Sequence, residues 1–183
     1  KSAKPVGLGY PLDRVKNFLQ VDSDYDDGVV SSLISAAIGV ISQETWVELQ
    51  TTVYTAYLDD WKDFEIKMHP ITEITTVKYY DATPTLQTMT VDVDYEVDLR
   101  GQFAKIRFIN TPTLRDLDYN NIEVAFKVGY TTHYDIPDEL VSALLMTVRD
   151  WYDHRETITI KGTVQELPLG VRTILNNASK RTV

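Results

Sequence analysis

The sequence predicts an α+β fold with a pair of N-terminal helices, a central antiparallel β region, a long helix and a short C-terminal helix. Three observations carry this prediction. Apolar residues recur at helical spacing near both ends of the chain, and β-branched and aromatic residues alternate with polar ones between about residues 48 and 130. Pro137 then opens a further long run with helical spacing. We expect one domain over residues 1–183, with residues 48–130 as its β-rich part.

Composition narrows the classes of protein to consider. The 183 residues suit a single domain, and the absence of cysteine excludes disulfides and thiolate metal sites. A formal net charge of -9 argues against coating nucleic acid, because that affinity comes from Lys and Arg, although DNA could pass near such a surface without binding. No signal-type start and no apolar run near the ~20 residues of a membrane span are evident, so no membrane partner is predicted.

The N-terminal helix pair is predicted from two apolar patterns. The first covers Pro11 to Gln20, with proline at its start, and the second begins at about Tyr25 and continues to about Ile41. Small residues within the second pattern would allow close helix packing. We therefore expect a short amphipathic helix followed by a longer one.

The acidic break Asp22–Asp27 between these helices begins like a calcium-binding loop. Its sixth position is Asp27 where an EF-hand needs glycine, and its twelfth is Leu33 where the loop needs glutamate. The register therefore does not fit calcium. Ser23 or Asp24 as a helix N-cap, with further acids in the first turn, explains the cluster instead.

The β region is predicted from alternating residues separated by turn signals at Pro70, 82–85 and 100–101. Short connections favour antiparallel pairing. The polar stretch Asn110–Asn121 is expected to be a surface loop. The predicted strands are Thr51–Tyr57, Phe64–Met68, Ile74–Tyr80, Phe103–Ile109 and Ile122–Val128.

One further strand is predicted from an acidic ladder. Four carboxylates alternate with apolar residues, which would place the charges on one face and the apolar side chains in the core. The charged face could be solvated, contact a neighbouring subunit or line a lumen that faces DNA, with a basic partner or solvent opposite it. The carboxylates are Asp92, Asp94, Glu96 and Asp98, and the apolar residues are Val91, Val93, Tyr95, Val97 and Leu99.

The long helix is predicted between Pro137 and His154. Gly129 ends the strand before it, and Asp138 and Glu139 suit the positive end of the helix. One apolar stripe is expected to dock on a sheet. The stripe comprises Leu140, Val141, Leu144, Leu145, Val148, Trp151 and Tyr152. A short last helix is predicted from about Leu167 to Asn177.

The sequence shows no catalytic, cofactor-binding or metal-binding constellation. His69, His133 and His154 are far apart and lack ligand spacing, and no nucleophile elbow or phosphate-binding glycine loop occurs. An enzyme remains possible only through residues that the fold gathers. The eleven tyrosines and three tryptophans favour core packing over a carbohydrate or base-stacking surface, with Tyr130 and Tyr134 expected to be exposed exceptions.

Three segments resemble one protein family. Gly129-Tyr130, the Pro-started helix and its exit at Trp151–Glu156 form the first, and Leu12–Leu19 with the following helix to Ala37 forms the second. The third is Glu166–Val171. In this order they resemble the head-tail connector (adaptor, head-completion) proteins of long-tailed bacteriophages, with residues 48–121 matching only as a variable β region.

The resemblance implies a structural virion protein and no enzymatic activity. Such a protein forms a ring, twelvefold to match the portal, between the portal and the stopper or tail-completion protein. It extends the DNA channel without binding DNA specifically, completes the head in the host bacterial cytoplasm and stays in the virion neck. Another neck or tail-completion protein, or a β-rich hydrolase or sugar-binding domain, is the alternative.

The resemblance also implies a portal contact in the C-terminal segment, residues 157–183. Its apolar residues lie on the predicted short helix, and two basic residues follow them. The tail from Asn176 onward is expected to be mobile before it docks. The implied contact residues are Leu167, Leu169, Val171, Ile174, Leu175, Lys180 and Arg181.

Overall fold

The computed structural model describes residues 2–5, 9–101, 103–117, 119–154 and 167–180, and confirms an α+β fold. The chain divides into two compact units. Residues 1–7 and 51–129 form the first, which is a β unit, and residues 8–50 and 130–183 form the second, which is helical. That residues 1–183 fold as a single domain stays a prediction. A single cooperative unfolding transition would support it.

The β unit contains two antiparallel sheets. The larger sheet has the order β1-β2-β8-β4-β5, and the smaller has the order β3-β7-β6. The strands are β1 Ser2–Pro5, β2 Thr52–Leu58, β3 Phe64–Ile66, β4 Ile71–Tyr80, β5 Leu86–Thr88, β6 Tyr95–Asp98, β7 Ala104–Phe108 and β8 Ile122–Val128.

Strand β8 lies at the centre of the larger sheet, and its alternating sequence favours a strand with one buried face. Ile122, Val124, Phe126 and Val128 are buried, and the residues between them are half-exposed. This alternation places one face in the core, where β-branched and aromatic side chains pack well. Ile66, Val77 and Ile106 from other strands belong to the same core.

Two features of the β unit differ from the sequence prediction. The acidic ladder is a strand only over Tyr95–Asp98, because residues 92–94 form a turn in which Asp92 has a φ of 63°. Val91, Val93 and Leu99 are consequently half-exposed and not core residues. Strands β1 and β5 were not predicted, since their sequences are short and begin or end at prolines or polar turns.

In the described part of the helical unit, four α-helices surround one core. They are α1 Leu12–Leu19, α2 Asp27–Thr45, α3 Asp138–Asp153 and α4 Leu169–Lys180, with a 3-10 turn at Asp24–Asp26. The interior stripe of α2 supplies Val30, Ile34, Ala37, Ile38 and Ile41 to the core. The N-terminal helix pair, the long helix and the short last helix are confirmed.

Helix α3 packs differently from the sequence prediction. Leu140, Leu144 and Val148 are buried in the core of the helical unit, together with residues of α1, α2 and α4. The expectation that this stripe docks on a sheet is therefore wrong. A one-sided apolar stripe specifies burial, but it does not specify whether the facing layer is a helix or a strand.

The segment Asp24–Thr45 contains 22 residues and is long and apolar enough to cross a membrane, which corrects the expectation that no such run exists. Its apolar stripe is buried against the other helices of its unit. Core helices of water-exposed domains share this length and composition, so the run alone does not indicate a membrane span.

Candidate docking surfaces

Helix α4, the centre of the implied portal contact, is divided between core and surface. Val171 and Leu175 are buried, and Leu167 and Ile174 pack partly against the same core. Leu169 is 80% exposed at the start of the helix. Because Val171 and Leu175 hold α4 to its own unit, Leu169 is the apolar residue of this helix that a partner could reach without displacing it.

The end of α4 also differs from the sequence prediction. The helix continues to Lys180, and Ala178 is buried, so the expected mobility from Asn176 is wrong for residues 176–180. The side chain of Lys180, all of Arg181 and the alternating segment Thr157–Ile160 lie outside the described residues.

The first half of the acidic ladder organises a turn. Asp94 accepts hydrogen bonds from the backbone N–H of Thr90 at 2.7 Å and from the side-chain amide of Asn110 at 2.9 Å. The bond from Asn110 contributes most to lowering the pKa of Asp94 below its usual range. Asp92 occupies the left-handed region at the tip of this turn. Asp94 is thus a local structural residue.

The second half of the ladder faces basic residues of the same unit. Arg107 donates to Glu96 at 2.7 Å. Arg100 donates to Asp98 through its side chain and its backbone N–H, and these bonds lower the pKa of Asp98 to about 2. The carboxylates on β6 are therefore neutralised by cations within the chain.

These residues line a concave face of the smaller sheet that encloses about 750 Å³. Lys105 and Arg107 of the middle strand lie between Glu65 on β3 and Glu96 on β6, at 3.7 and 2.7 Å. Five carboxylates and three cations line the face, a difference of two negative charges. The face therefore carries a small surplus of negative charge.

A second trough, of about 410 Å³, lies between the two sheets of the β unit. One wall is Thr72–Thr76 of β4, and the other consists of residues from 88 to 99. Val91 and Leu99 in this wall are 48% and 45% exposed. The trough is therefore an apolar groove that the described residues leave open.

The stretch Asn110–Asn121 is a surface loop, but it is firmly braced. Arg115 stacks over the ring of Tyr80 at 4.0 Å and donates to the side chain of Asn121 at 3.0 Å. Asn121 donates in turn to the backbone of Asp59 at 2.9 Å. The loop thereby presents the exposed side chain of Tyr119 from an ordered base.

The acidic segment Asp22–Asp27 before α2 forms ion pairs and hydrogen bonds with α1 and α3, and only Ser23 acts as a cap. Ser23 accepts from the backbone N–H of Tyr25, which confirms its capping role for the 3-10 turn. Lys16 lies 2.7 Å from both Asp24 and Asp27, and its hydrogen bond to Asp24 contributes most to raising the pKa of Lys16.

Helix α2 itself begins without a side-chain cap. Its N-cap residue, Asp26, accepts a 2.6 Å hydrogen bond from the hydroxyl of Tyr152 on α3. Sequence reasoning missed these contacts because Tyr152 is distant in the chain, and the contact of Lys16 spans eight residues across a break.

The loop before α3 carries an aromatic group. Tyr134 is 75% exposed and packs against His133 in a tilted arrangement with ring centroids 3.9 Å apart. The guanidinium of Arg14 lies 5.1 Å from the centre of the Tyr134 ring. Tyr130, by contrast, is half-buried against the helical core. The expectation of exposed tyrosines is thus confirmed for Tyr134 and wrong for Tyr130.

Among the described residues, no group of three or more His, Asp or Glu side chains could hold a metal ion. His133 packs against Tyr10 and Tyr134, and His154 lies at the end of α3 with its Nδ1 2.8 Å from the carbonyl oxygen of Asp150. The described surface offers four candidate contact surfaces, namely the exposed start of α4, the trough, the Tyr119 loop and the Tyr134 group.

No protein-family model matches the chain, and no curated protein matches it in sequence. Solved structures do match. A chain from the neck of an empty gene transfer agent (GTA) particle, computed with C6 symmetry, is 15% identical and has a TM-score of 0.73 over 97% of this chain and 95% of that one. A chain from the virion of a native GTA particle is 14% identical, with a TM-score of 0.72 over 97% and 94%.

A third chain, from the neck of a native GTA particle computed with C12 symmetry, is 15% identical and has a TM-score of 0.67 over 97% and 94%. At these identities the likeness establishes a shared fold. It extends over nearly the whole length of each chain.

Proposed function

We propose that this chain is a structural neck protein of a phage-like particle, where it forms an adaptor ring between the portal and the tail or stopper. The observation that carries the proposal is the likeness of fold, along nearly the full length of both chains, to chains from GTA necks. The three resembling segments support the same assignment from sequence, in the order expected for an adaptor. The fold alone does not specify the position in the neck.

The proposed ring has twelve copies. The structural neighbours come from necks computed with C6 and with C12 symmetry. A twelvefold ring is compatible with both symmetries because it contains sixfold symmetry, whereas a ring of six is not compatible with C12. Closed rings use heterologous contacts, in which two different surfaces of each copy meet.

The proposed portal contact is the exposed start of α4 together with the basic end of the chain. Leu169 is the exposed apolar residue at the start of α4. The next residue, Gly170, lies beside the side chain of Met146 on α3. Lys180 and Arg181 would add attraction to an acidic portal surface. Leu169 and Lys180 lie at opposite ends of α4, about 16 Å apart at ~1.5 Å per residue, so the proposed contact spans the length of the helix.

The proposed ring extends the DNA channel, completes the head in the host bacterial cytoplasm and catalyses no reaction. The net charge of -9 supports passage of DNA without specific binding. The concave face of the smaller sheet, with its neutralised cations, is the candidate surface for the lumen or for a neighbouring subunit.

Binding to purified portal rings tests the proposal. We expect the full chain to bind. The Leu169→Asp variant should bind about tenfold more weakly or worse, because losing an apolar contact with the portal and adding a charge costs more than ~1.4 kcal/mol. The Tyr25→Ser variant should bind as the full chain does. Tyr25 is a matched control because it is also highly exposed in the helical unit. Deleting residues 181–183 should weaken binding while leaving α4 intact.

Equal binding by Leu169→Asp and the full chain would move the portal contact elsewhere. Failure of the full chain to bind portal rings, combined with binding to a stopper or tail protein, would favour the alternative of another neck or tail-completion protein.

A further inference from the structure

Among the described residues, the β unit leaves one strand edge open and a second partly open, since Val91 bridges the outer edge of β6 at Tyr95. Strand β4 pairs with β8 along nearly its whole length, but β5 covers its other side only at Lys78–Tyr80. Strand β6 is the end strand of the smaller sheet. Among the described residues, no strand pairs with the outer edge of β4 over residues 71–76.

Both edges border the same trough. Thr72–Thr76 of β4 lie on one side, and Tyr95 and Val97 of β6, with Leu99 after it, lie on the other. An unpaired edge presents free N–H and C=O groups, and proteins usually protect such an edge with charge, proline or a cover. The wall facing β4 instead carries the exposed apolar side chains of Val91 and Leu99.

Strand β4 has two register shifts, between Ile71 and Glu73 and between Ile74 and Thr76. Bulges of this kind can also discourage pairing at an edge. They do not explain why the opposite wall is apolar. A groove with a backbone edge on one side and apolar side chains on the other has the form of a strand-addition site, where the backbone supplies affinity and the side chains supply specificity.

We propose that this trough takes an extended segment from a neighbouring copy of the chain, residues Thr157–Ile160, as an added strand. The inference rests on the proposed ring, because a heterologous ring contact joins two different surfaces, here a segment of one copy and the trough of the next. Thr-Ile-Thr-Ile alternates with strand period, which would place both isoleucines on one face against the apolar wall.

The segment also suits the site by length and charge. It belongs to the twelve residues 155–166, which join two described ends of the helical unit. Their contour length is about 40 Å at ~3.3 Å per residue, so a loop held at both ends can project about 20 Å. Arg155 and Lys161 balance Glu156 and Glu166, so the segment is formally neutral. A neutral strand can approach another copy of a chain of net charge -9 with little repulsion.

The absence of cysteine allows a direct test by cross-linking. The double variant Thr75→Cys with Thr159→Cys is assembled on portal rings and treated with a short bismaleimide, which tolerates a register shift of one or two residues. We expect a ladder of covalent dimers, trimers and larger species up to the closed ring. The control pairs Thr113→Cys with Thr159→Cys, because Thr113 is exposed in the same unit but does not line the trough.

The outcomes separate this inference from the proposed function. Portal-bound rings that give no ladder, or that give only cross-linked monomer because the segment lies in its own chain's trough, overturn the inference and leave the adaptor function standing. A ladder of equal yield from the control pair also overturns it. Absence of portal binding removes both.

A second variant gives an independent measurement. Leu99→Asp changes a half-exposed side chain in the trough, so folding should be unaffected, while ring closure on the portal should weaken about tenfold or more. Ring closure by Leu99→Asp at the affinity of the full chain would contradict the docking site.

Discussion

Replacing Leu175 by alanine should destabilise the helical unit strongly, whereas replacing Leu169 should not. Leu175 is 2% exposed and belongs to the helical core, while Leu169 on the same helix faces solvent. Removing three buried carbons costs about 2.4 kcal/mol at ~0.8 kcal/mol each, and the cavity left behind raises the cost to about 3–5 kcal/mol. The exposed Leu169→Ala change should stay within about 0.5 kcal/mol.

Urea unfolding followed by circular dichroism measures both free energies of unfolding. With an m value of ~1–3 kcal/mol/M, a loss of about 3 kcal/mol moves the midpoint for Leu175→Ala down by about 1 M or more. If the β unit unfolds in a transition of its own, that transition should not move, because Leu175 belongs to the other core.

A cost below about 0.5 kcal/mol for Leu175→Ala would show that α4 is not docked on its own unit in solution. The helix would then be free to present Val171 and Leu175 to the portal, as the family resemblance implies. The pair of variants therefore separates the structural part of α4 from its proposed docking part.

The remaining predictions concern charge, pH and metals. Glu96→Gln should change the free energy of unfolding by less than about 1 kcal/mol, since its pair with Arg107 is exposed, while Asp94→Asn should lower the urea midpoint further because it disturbs a turn. A hydrogen bond from the Thr83 hydroxyl is the main cause that lowers the pKa of Asp81 from 3.8 to about 2. The ionised Asp81 therefore stabilises the fold fully above about pH 3.8, and this stabilisation is lost as the pH falls through about 2. Acid titration should find a smaller loss of stability in the Asp81→Asn variant. Chelation with EDTA should leave portal-bound rings intact, and dissolution that zinc or calcium reverses would contradict this.

Local periodicity was sufficient to predict most of the elements. The alternation in β8 and the helical stripes of α2 and α3 are long, so each predicts its own element and buried face. The acidic ladder shows where periodicity fails. Asp94 receives hydrogen bonds from Thr90 and Asn110, and these long-range and turn contacts override the alternating pattern before Tyr95.

The candidate surfaces were harder to predict than the elements. The sequence of α4 does not distinguish an apolar residue that is buried, such as Val171, from one that is exposed, such as Leu169. The trough could not be foreseen because it depends on where β5 stops pairing with β4 and on strand order in two sheets. Such features arise from tertiary packing between distant segments, which local sequence does not encode.

Cryo-electron microscopy of portal rings incubated with the full chain tests the central claim most directly. We expect one closed ring of twelve copies at the tail-facing end of the portal, with the start of α4 against the portal and an open channel along the axis. Portal rings without bound chain, or with copies that do not close into a ring around the channel, would contradict it.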